Sequence, residues 1–415
     1  MWCSRSIVLA TTGIIAGVVV AQKNSSSLCK SIPVVDTFFL PRPFSSNLTD
    51  SFVQTDAPGP TGAQIQADPS SPYICFDDEF AGLLQGEPVL AVNQSGLTAF
   101  EAGAWAPEGN AVWFSSAIGV AQFGKVQVFH LDNSTVTTPA LHTTQTQLLP
   151  LANPNGGYYF NGTVYFVLAG SPDVGGSVVA INPTTFETDE IVNSYFGLQY
   201  PSLDDIALVP PRSKRHPQSC AVDGEVEMIF SCLDFNAYGY PLHTPDIPNS
   251  YWKFTPRTQT LRAVLDRADI LFPNGVAFDK DFTTLYASET AYTATIGPSN
   301  SSTGFPGIYK YRLGDGCTPQ DKELFAMARG GAPDGIKVDD RGRVWTIEAE
   351  GLVVRNPQGK VIGIFNRWFF LDGEPADLSM GNFALAHDKV VLLAFSKIWV
   401  VQLSEVVFSA DRLSI

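Results

Sequence analysis

One short pattern returns along this chain at intervals of roughly 50 residues, and it constrains the fold more than any other feature. It reads EAGAWAPEGNAVWF at 101–114, GGYYFNGTVYFVLA at 156–169 and DDIALV at 204–209. It continues as PNGVAFDKDFTTLYASE at 273–289, DGIKVDDRGRVWTI at 334–347 and NFALAHDKVVLLAF at 382–395. Each copy opens on a small or polar residue, runs as a strand, turns and returns as a second strand. A period near 50 leaves room for four strands per copy, which is the requirement of a β-propeller blade. One such sheet cannot bury its own faces, so neighbouring blades must stack around a channel. Six starts predict an all-β, six-bladed β-propeller with an irregular N-terminal arm. The composition agrees: 35 Gly, 29 Pro and 12% aromatic residues favour many strands and turns over helices.

In such a ring the first strand of each blade lines the channel, and its first residue stands at one mouth. Asn274 is then expected beside Glu101, Asp204 or Asp205, and Asp334. Gly275 and Gly335 let the backbones approach closely there. Carboxylate and amide oxygens without Cys or His suit a hard cation, and Ca2+ fits best. The expected metal ligands are Glu101, Asp204, Asn274 and Asp334. Such an ion polarises a carbonyl and stabilises the oxyanion formed when water attacks it. Asp205 and Asp334 are the carboxylates expected to take the proton. The chemistry is ester or lactone hydrolysis of a small-molecule substrate. No Gly-x-Ser-x-Gly elbow is present, and the five histidines form no metal motif. Ser116, Asp234, Glu289 and Glu348 end second strands at the same mouth. Asp234, Glu289 and Phe100 are the expected substrate contacts. The aromatic stretches 235–252 and 366–370 are expected to line the pocket.

Residues 1–21 read as a secretory signal, with Arg5, an apolar run from Ile7 to Val20 and cleavage after Ala21. The run is too short for a stable membrane span. Residues 22–72 form the arm and 73–415 the propeller. Sequons at Asn24, Asn47, Asn93, Asn133, Asn161 and Asn300 fit a glycosylated protein of the secretory lumen or exterior. Cys3 leaves with the signal. Cys220 and Cys232 lie close enough in sequence to clip the basic insertion at 210–224 and are the expected disulfide, with Cys29–Cys75 as a second pairing. The formal charge of −15 argues against nucleic acid or an anionic membrane as partner. A monomer is expected.

The motifs PNGVAF (273–278), PDGIKVDDRGRVW (333–345) and EAGAWAPEGNAVWF (101–114) resemble the senescence-marker-protein/gluconolactonase family. The resemblance spans roughly residues 73–404 and implies Glu101, Asn274 and Asp334 as ligands of one divalent cation. YICFDDEFAGLL (73–84) and SYFGLQYPSLDDIAL (194–208) look like the secreted fungal lactonohydrolases, Ca2+-containing enzymes that open aldono- and pantoyl lactones. That branch implies a His where this chain has Phe100. The family implies Asn-Asp where this chain reads Asp204-Asp205.

Two other expectations keep the propeller. One is a secondary-metabolism cyclase, a hetero-Diels–Alderase joining a tropolone quinone methide to a sesquiterpene. It needs a shaped apolar pocket and no activated water. The other is a binding propeller whose metal ring is structural.

Overall fold

Each repeat folds as an antiparallel sheet whose first strand lies innermost. The computed structural model describes residues 28–31, 70–117, 124–145, 151–222, 224–290, 305–375 and 378–415. The signal segment, most of the arm, and the sequons at Asn24, Asn47 and Asn300 lie outside the described residues.

Blade I pairs Ala99–Ala106, Ala111–Ser116, Val126–His130 and Thr135–Thr137 in order. Blade II runs from Pro154–Phe160 to Thr188–Val192, and blade III from Ser202–Val209 to Thr260–Leu265. Blade IV runs from Pro273–Phe278 to Thr318–Met327. Blade V runs from Ile336–Val338 to Val361–Asn366, and the arm extends its outer edge through Tyr73–Cys75 and Lys30–Ser31. Blade VI takes three strands from 383–402 and its outermost from Val89–Asn93. That early strand joins the two ends of the ring, so the six-bladed all-β propeller is the observed fold.

Burial falls from axis to rim. The first strand of blade IV is buried throughout, whereas its outermost strand, Thr318–Met327, is mostly exposed. Inner strands are packed on both faces by neighbouring blades and therefore read as apolar runs. This is why the strand–turn–strand pattern was legible in the first two strands of a blade and weak in the last two.

The expected Cys220–Cys232 disulfide does not form. Cys220 bonds Cys317, and Cys232 is buried as a free thiol. Cys220 lies in the insertion that leaves the lower end of the first strand of blade III. The second strand, Glu227–Leu233, then carries Cys232 to the upper end, opposite Leu203. Twelve residues of sequence conceal a strand that takes the two thiols to opposite faces, about 17 Å of rise over five residues. Cys317 instead occupies the lower turn of blade IV, where the Gly316 N–H donates to the Cys220 carbonyl at 2.8 Å. Cys29–Cys75 does form and fastens the described part of the arm to blade V.

The lower face is closed by the C-terminal tail. The Asp340 N–H donates to the Val407 carbonyl at 2.8 Å, and Arg412 donates to the carbonyls of Val338 (2.7 Å) and Phe278 (2.8 Å). The Asn161 N–H donates to the Leu413 carbonyl at 2.7 Å, and the His216 ring bonds the Ser414 carbonyl at 2.8 Å. The tail thus touches blades II, III, IV and V. Among the described residues no helix is long and apolar enough to cross a membrane. The side chains of Asn93, Asn133 and Asn161 are exposed.

Candidate active site

The upper mouth is built by a repeated irregularity. In blades I to IV the ladder between the first and second strands slips at the residue that opens the repeat. The slips lie at Glu101/Ala104, Pro154/Gly157, Leu203/Ile206 and Pro273/Val276. A β-bulge of this kind bends the strand and re-aims a side chain. The Asn-Gly pair at 274–275 therefore belongs to a bulge. A Cβ on Gly275 would lie 2.6 Å from the Asp334 carbonyl of blade V, and one on Gly156 would collide with the Asp204 carbonyl of blade III. Only glycine admits those approaches.

One residue of each blade stands at this mouth, Glu101, Asn155, Asp204 and Asn274 at the four bulges and Asp334 and Asn382 just before the first strands of blades V and VI. All but Asp334 are buried, and Asp334 is half-buried. Hydrogen bonds between blades close the ring. Asn382 Nδ2 donates to Glu101 Oε2 at 3.2 Å, and Asn155 Nδ2 donates to Asp204 Oδ1 at 2.8 Å. The Asn274 side chain bonds Asp334. Beneath them, Ser115 Oγ donates to the Asn155 carbonyl (2.9 Å), and Ser288 Oγ donates to the Asp334 carbonyl (3.1 Å). The Tyr251 hydroxyl accepts from the Asn274 N–H at 3.1 Å and bonds the Gly275 and Ser288 carbonyls at the same distance.

Electrostatics set these acids apart. Burial, then the charges of Asp334 and Asp204, push the Glu101 carboxyl well above its usual range. Burial, then Asp334 and Asp205, do the same for Asp204. Asp334 is pushed up to about 7, by burial first; its hydrogen bond to Asn274 opposes this and the Asp205 charge adds to it. Asp205 is pushed up to about 6 by burial, with Lys337 opposing.

Asp204 Oδ2 is buried without a hydrogen-bond partner. A buried carboxylate oxygen left unpaired is costly, and a cation is the partner that removes the cost. The donors are all hard oxygens, so the ring fits Ca2+ or a similar ion. Among the described residues, no three His, Cys, Asp or Glu side chains form a metal-holding cluster by themselves. Acids alternate with amides here, so a ligand set must include an amide oxygen such as that of Asn274.

The structure brings Glu101, Asp204, Asn274 and Asp334 to one mouth. Asp205 faces sideways: its Oδ1 accepts from the Ile206 N–H (2.9 Å), and its Oδ2 accepts from the Val276 N–H of blade IV (3.3 Å). Phe100 packs on Phe395 at 5.2 Å between centroids, and a Cβ on Gly381 would meet both the Phe100 ring and Glu101 Oε1. Phe100 therefore stands beside the ring. Asp234 caps the short helix Phe235–Tyr238 through the Asn236 N–H. Glu289 accepts from the Leu271 N–H at 3.1 Å and bonds Tyr309. Ser116 accepts from the Lys125 N–H, and Glu348 pairs with Arg355 at 2.5 Å. The first three hold mouth loops in place, and Glu348 joins two neighbouring strands of blade V.

Sequence reasoning missed Asn155 and Asn382 as ring members. Asn382 opens its repeat, and Asn155 lies one residue before the quoted start of the second, so phase alone would have found both. Tyr240 was hidden inside an aromatic stretch; it stands where the Asp334 charge raises its pKa further after burial.

Residues 240–366 match the family model described as SMP-30/Gluconolactonase/LRE-like region, and that segment contains Asn274 and Asp334. Over those residues the match agrees with the resemblance read from the sequence, and the segment lies within a six-bladed propeller. Among curated relatives it is similar to two lactonohydrolases of Aspergillus oryzae. The first, oryH, is 25% identical over 316 residues, covering 62% of this chain and 66% of the relative. The second, oryL, is 24% identical over 342 residues, covering 75% and 70%. The chain thus spans about two thirds of the length of the relatives it matches. A gluconolactonase structure from Xanthomonas campestris shares the fold, with TM-score 0.59, 19% identity, and 80% of this chain against 95% of that one. So does a regucalcin structure from Agrobacterium tumefaciens, titled a calcium-binding protein, at TM-score 0.51 and 13% identity, with 77% and 96% covered.

Proposed function

We propose that this protein is a secreted, divalent-cation-dependent lactone hydrolase acting at the upper mouth of the propeller. The observation that carries the reading is the unpartnered, buried Asp204 Oδ2 inside a ring of oxygen donors. The lactonohydrolase relatives support the reaction class, and the calcium-binding regucalcin of the same fold supports the ion.

Glu101, Asp204, Asn274 and Asp334 would hold the ion. When bound, Ca2+ would polarise the lactone carbonyl and offset negative charge on its oxygen. Asp334 is the ring acid that is half open to the mouth, so we assign it the proton of the attacking water. Water adds to the carbonyl carbon, the acyl–oxygen bond breaks, and the proton returns to the leaving alkoxide. The product is the open hydroxy acid. Both oxygens of Asp205 already accept backbone N–H groups, so its role is to brace blade III against blade IV. Phe100 gives the mouth an apolar wall beside Glu101. The paired cysteines and the exposed Asn93, Asn133 and Asn161 side chains fit an oxidising, glycosylating compartment.

The test is metal content of the purified full chain, then turnover of aldono- and aromatic lactones with and without chelator. Bound Ca2+ with turnover lost on chelation is expected. Bound metal without hydrolysis of any lactone would overturn the reaction.

A further inference from the structure

Lys337 enters the ring from below, three residues after Asp334 on the first strand of blade V. Its Nζ donates to the Ala102 carbonyl of blade I at 3.2 Å and lies 5.5 Å from the centre of the Phe383 ring of blade VI. Burial lowers the pKa of its ammonium, and the charges of Asp205 and then Glu101 oppose that shift.

The acceptor is unusual. Ala102 is a buried non-glycine residue with φ +73, followed by Gly103 at +63. A left-handed alanine inside a strand is strained and persists only where its surroundings enforce it. The strain lies in the bulge that turns Glu101 toward the axis. Lys337 takes the carbonyl of this strained residue.

The ring also needs positive charge. Four buried or half-buried carboxylates, Glu101, Asp204, Asp205 and Asp334, bear on one another. Like charges in a poorly solvated channel repel strongly. We propose that Lys337 is a positioning residue of the ring: it holds the Glu101 bulge through the Ala102 carbonyl and supplies the positive charge that lets Glu101 and Asp205 share the channel when no metal is bound. The inference rests on the ring being the functional site. A lysine that merely fills space would be matched by methionine, which has similar length and no charge.

The experiment is thermal unfolding of the full chain, in chelator and in saturating CaCl2. The variants are Lys337→Met, Lys337→Arg, Asp205→Asn and the double Lys337→Met/Asp205→Asn. In chelator, Lys337→Met is expected to lower Tm by about 5 °C or more, and Lys337→Arg to restore most of it. Asp205→Asn should raise Tm in the Lys337→Met background and not in the parent, a coupling that packing does not produce. Calcium should raise the Tm of Lys337→Met more than that of the parent. Equal losses in chelator and calcium, with no coupling to residue 205, would overturn the proposal. If Lys337→Met fails to fold, folding of the double variant supports the proposal and failure of both overturns it. If calcium moves no variant, the parent included, the metal reading fails while the 337–205 coupling still decides the role of Lys337.

Discussion

Asp334 and Asp339 stand five residues apart, one at each end of the innermost strand of blade V, and their surroundings are opposite. Asp339 lies at the closed lower face with no exposed surface, and donors surround it. It accepts from the Arg341 and Arg343 N–H groups at 2.9 Å, from Arg343 Nε at 2.5 Å and from Trp345 Nε1 at 3.1 Å. Asp334 lies at the open upper mouth among other acids, and its carboxyl is pushed up to about 7. A buried carboxylate encircled by donors is a structural device. One that faces like charges is held at a cost, and such sites cluster where function needs them.

The largest expected effect separates these two. Asp334→Asn should cut lactone turnover by about 10³-fold, within the range for a lost general base, and leave the fold intact. Asp339→Asn should retain turnover per folded molecule and lose about 3 kcal/mol of stability, because Arg343 is left short of a partner in a buried site. Turnover and denaturant unfolding of both variants check it. A result in which Asp334→Asn hydrolyses normally would remove the mouth from consideration as the active site.

The next effect tests the lower face. Cys220→Ser breaks the bond to Cys317, which spans 97 residues of sequence, and should cost about 3 kcal/mol. Cys232→Ser should cost about 1 kcal/mol, the ordinary loss from a small core change. Neither should change turnover of the folded enzyme. If Cys220→Ser also abolished activity, the two faces would be coupled more tightly than the contrast implies.

The same contrast explains what was legible in the sequence. Inner strands packed on both sides leave apolar runs, so six repeats were visible without any structure. The ring acids were visible because they open those repeats. Asn155 was missed because its repeat was read from Gly156, and the bulge geometry that puts Asn155 in phase with Asp204 leaves no apolar signature. Asp205 looked equivalent to Asp204, yet the slip between Leu203 and Ile206 sends one carboxylate to the axis and the other to the backbone of blade IV. The disulfide was misread because proximity in sequence ignores the direction of a strand. Lys337 was part of a quoted motif and gave no sign that its ammonium lies among the acids.

A smaller effect sharpens the ring itself. Asn155 Nδ2 is the donor that orients Asp204, whose other oxygen is unpartnered. Partners that orient a metal ligand are typically worth 10–100-fold in affinity. Asn155→Ala should therefore weaken Ca2+ binding by about tenfold, read by calorimetry on chelator-stripped protein. Undiminished affinity would show that Asp204 is held by the bulge alone.

The last expected effect is a pH dependence set by the acids of the upper mouth. Asp205 and Asp334 have folded-state pKa values raised to about 6 and about 7, above the usual carboxylate range. A raised acid binds its proton more tightly in the folded state than in the unfolded one. Its contribution is therefore fully present below the unfolded pKa, near 4, and is lost as pH rises through the folded value. The chelator-stripped protein should lose a few degrees of Tm between about pH 5 and pH 8. Calcium replaces the displaced protons, so the calcium-loaded protein should show a flatter profile over the same range. Asp334→Asn should flatten the chelated profile. A stripped protein whose stability rises from pH 5 to pH 8 would mean that hydrogen-bond donors outweigh burial at the upper mouth, and the ring acids would then be held as ordinary structural carboxylates.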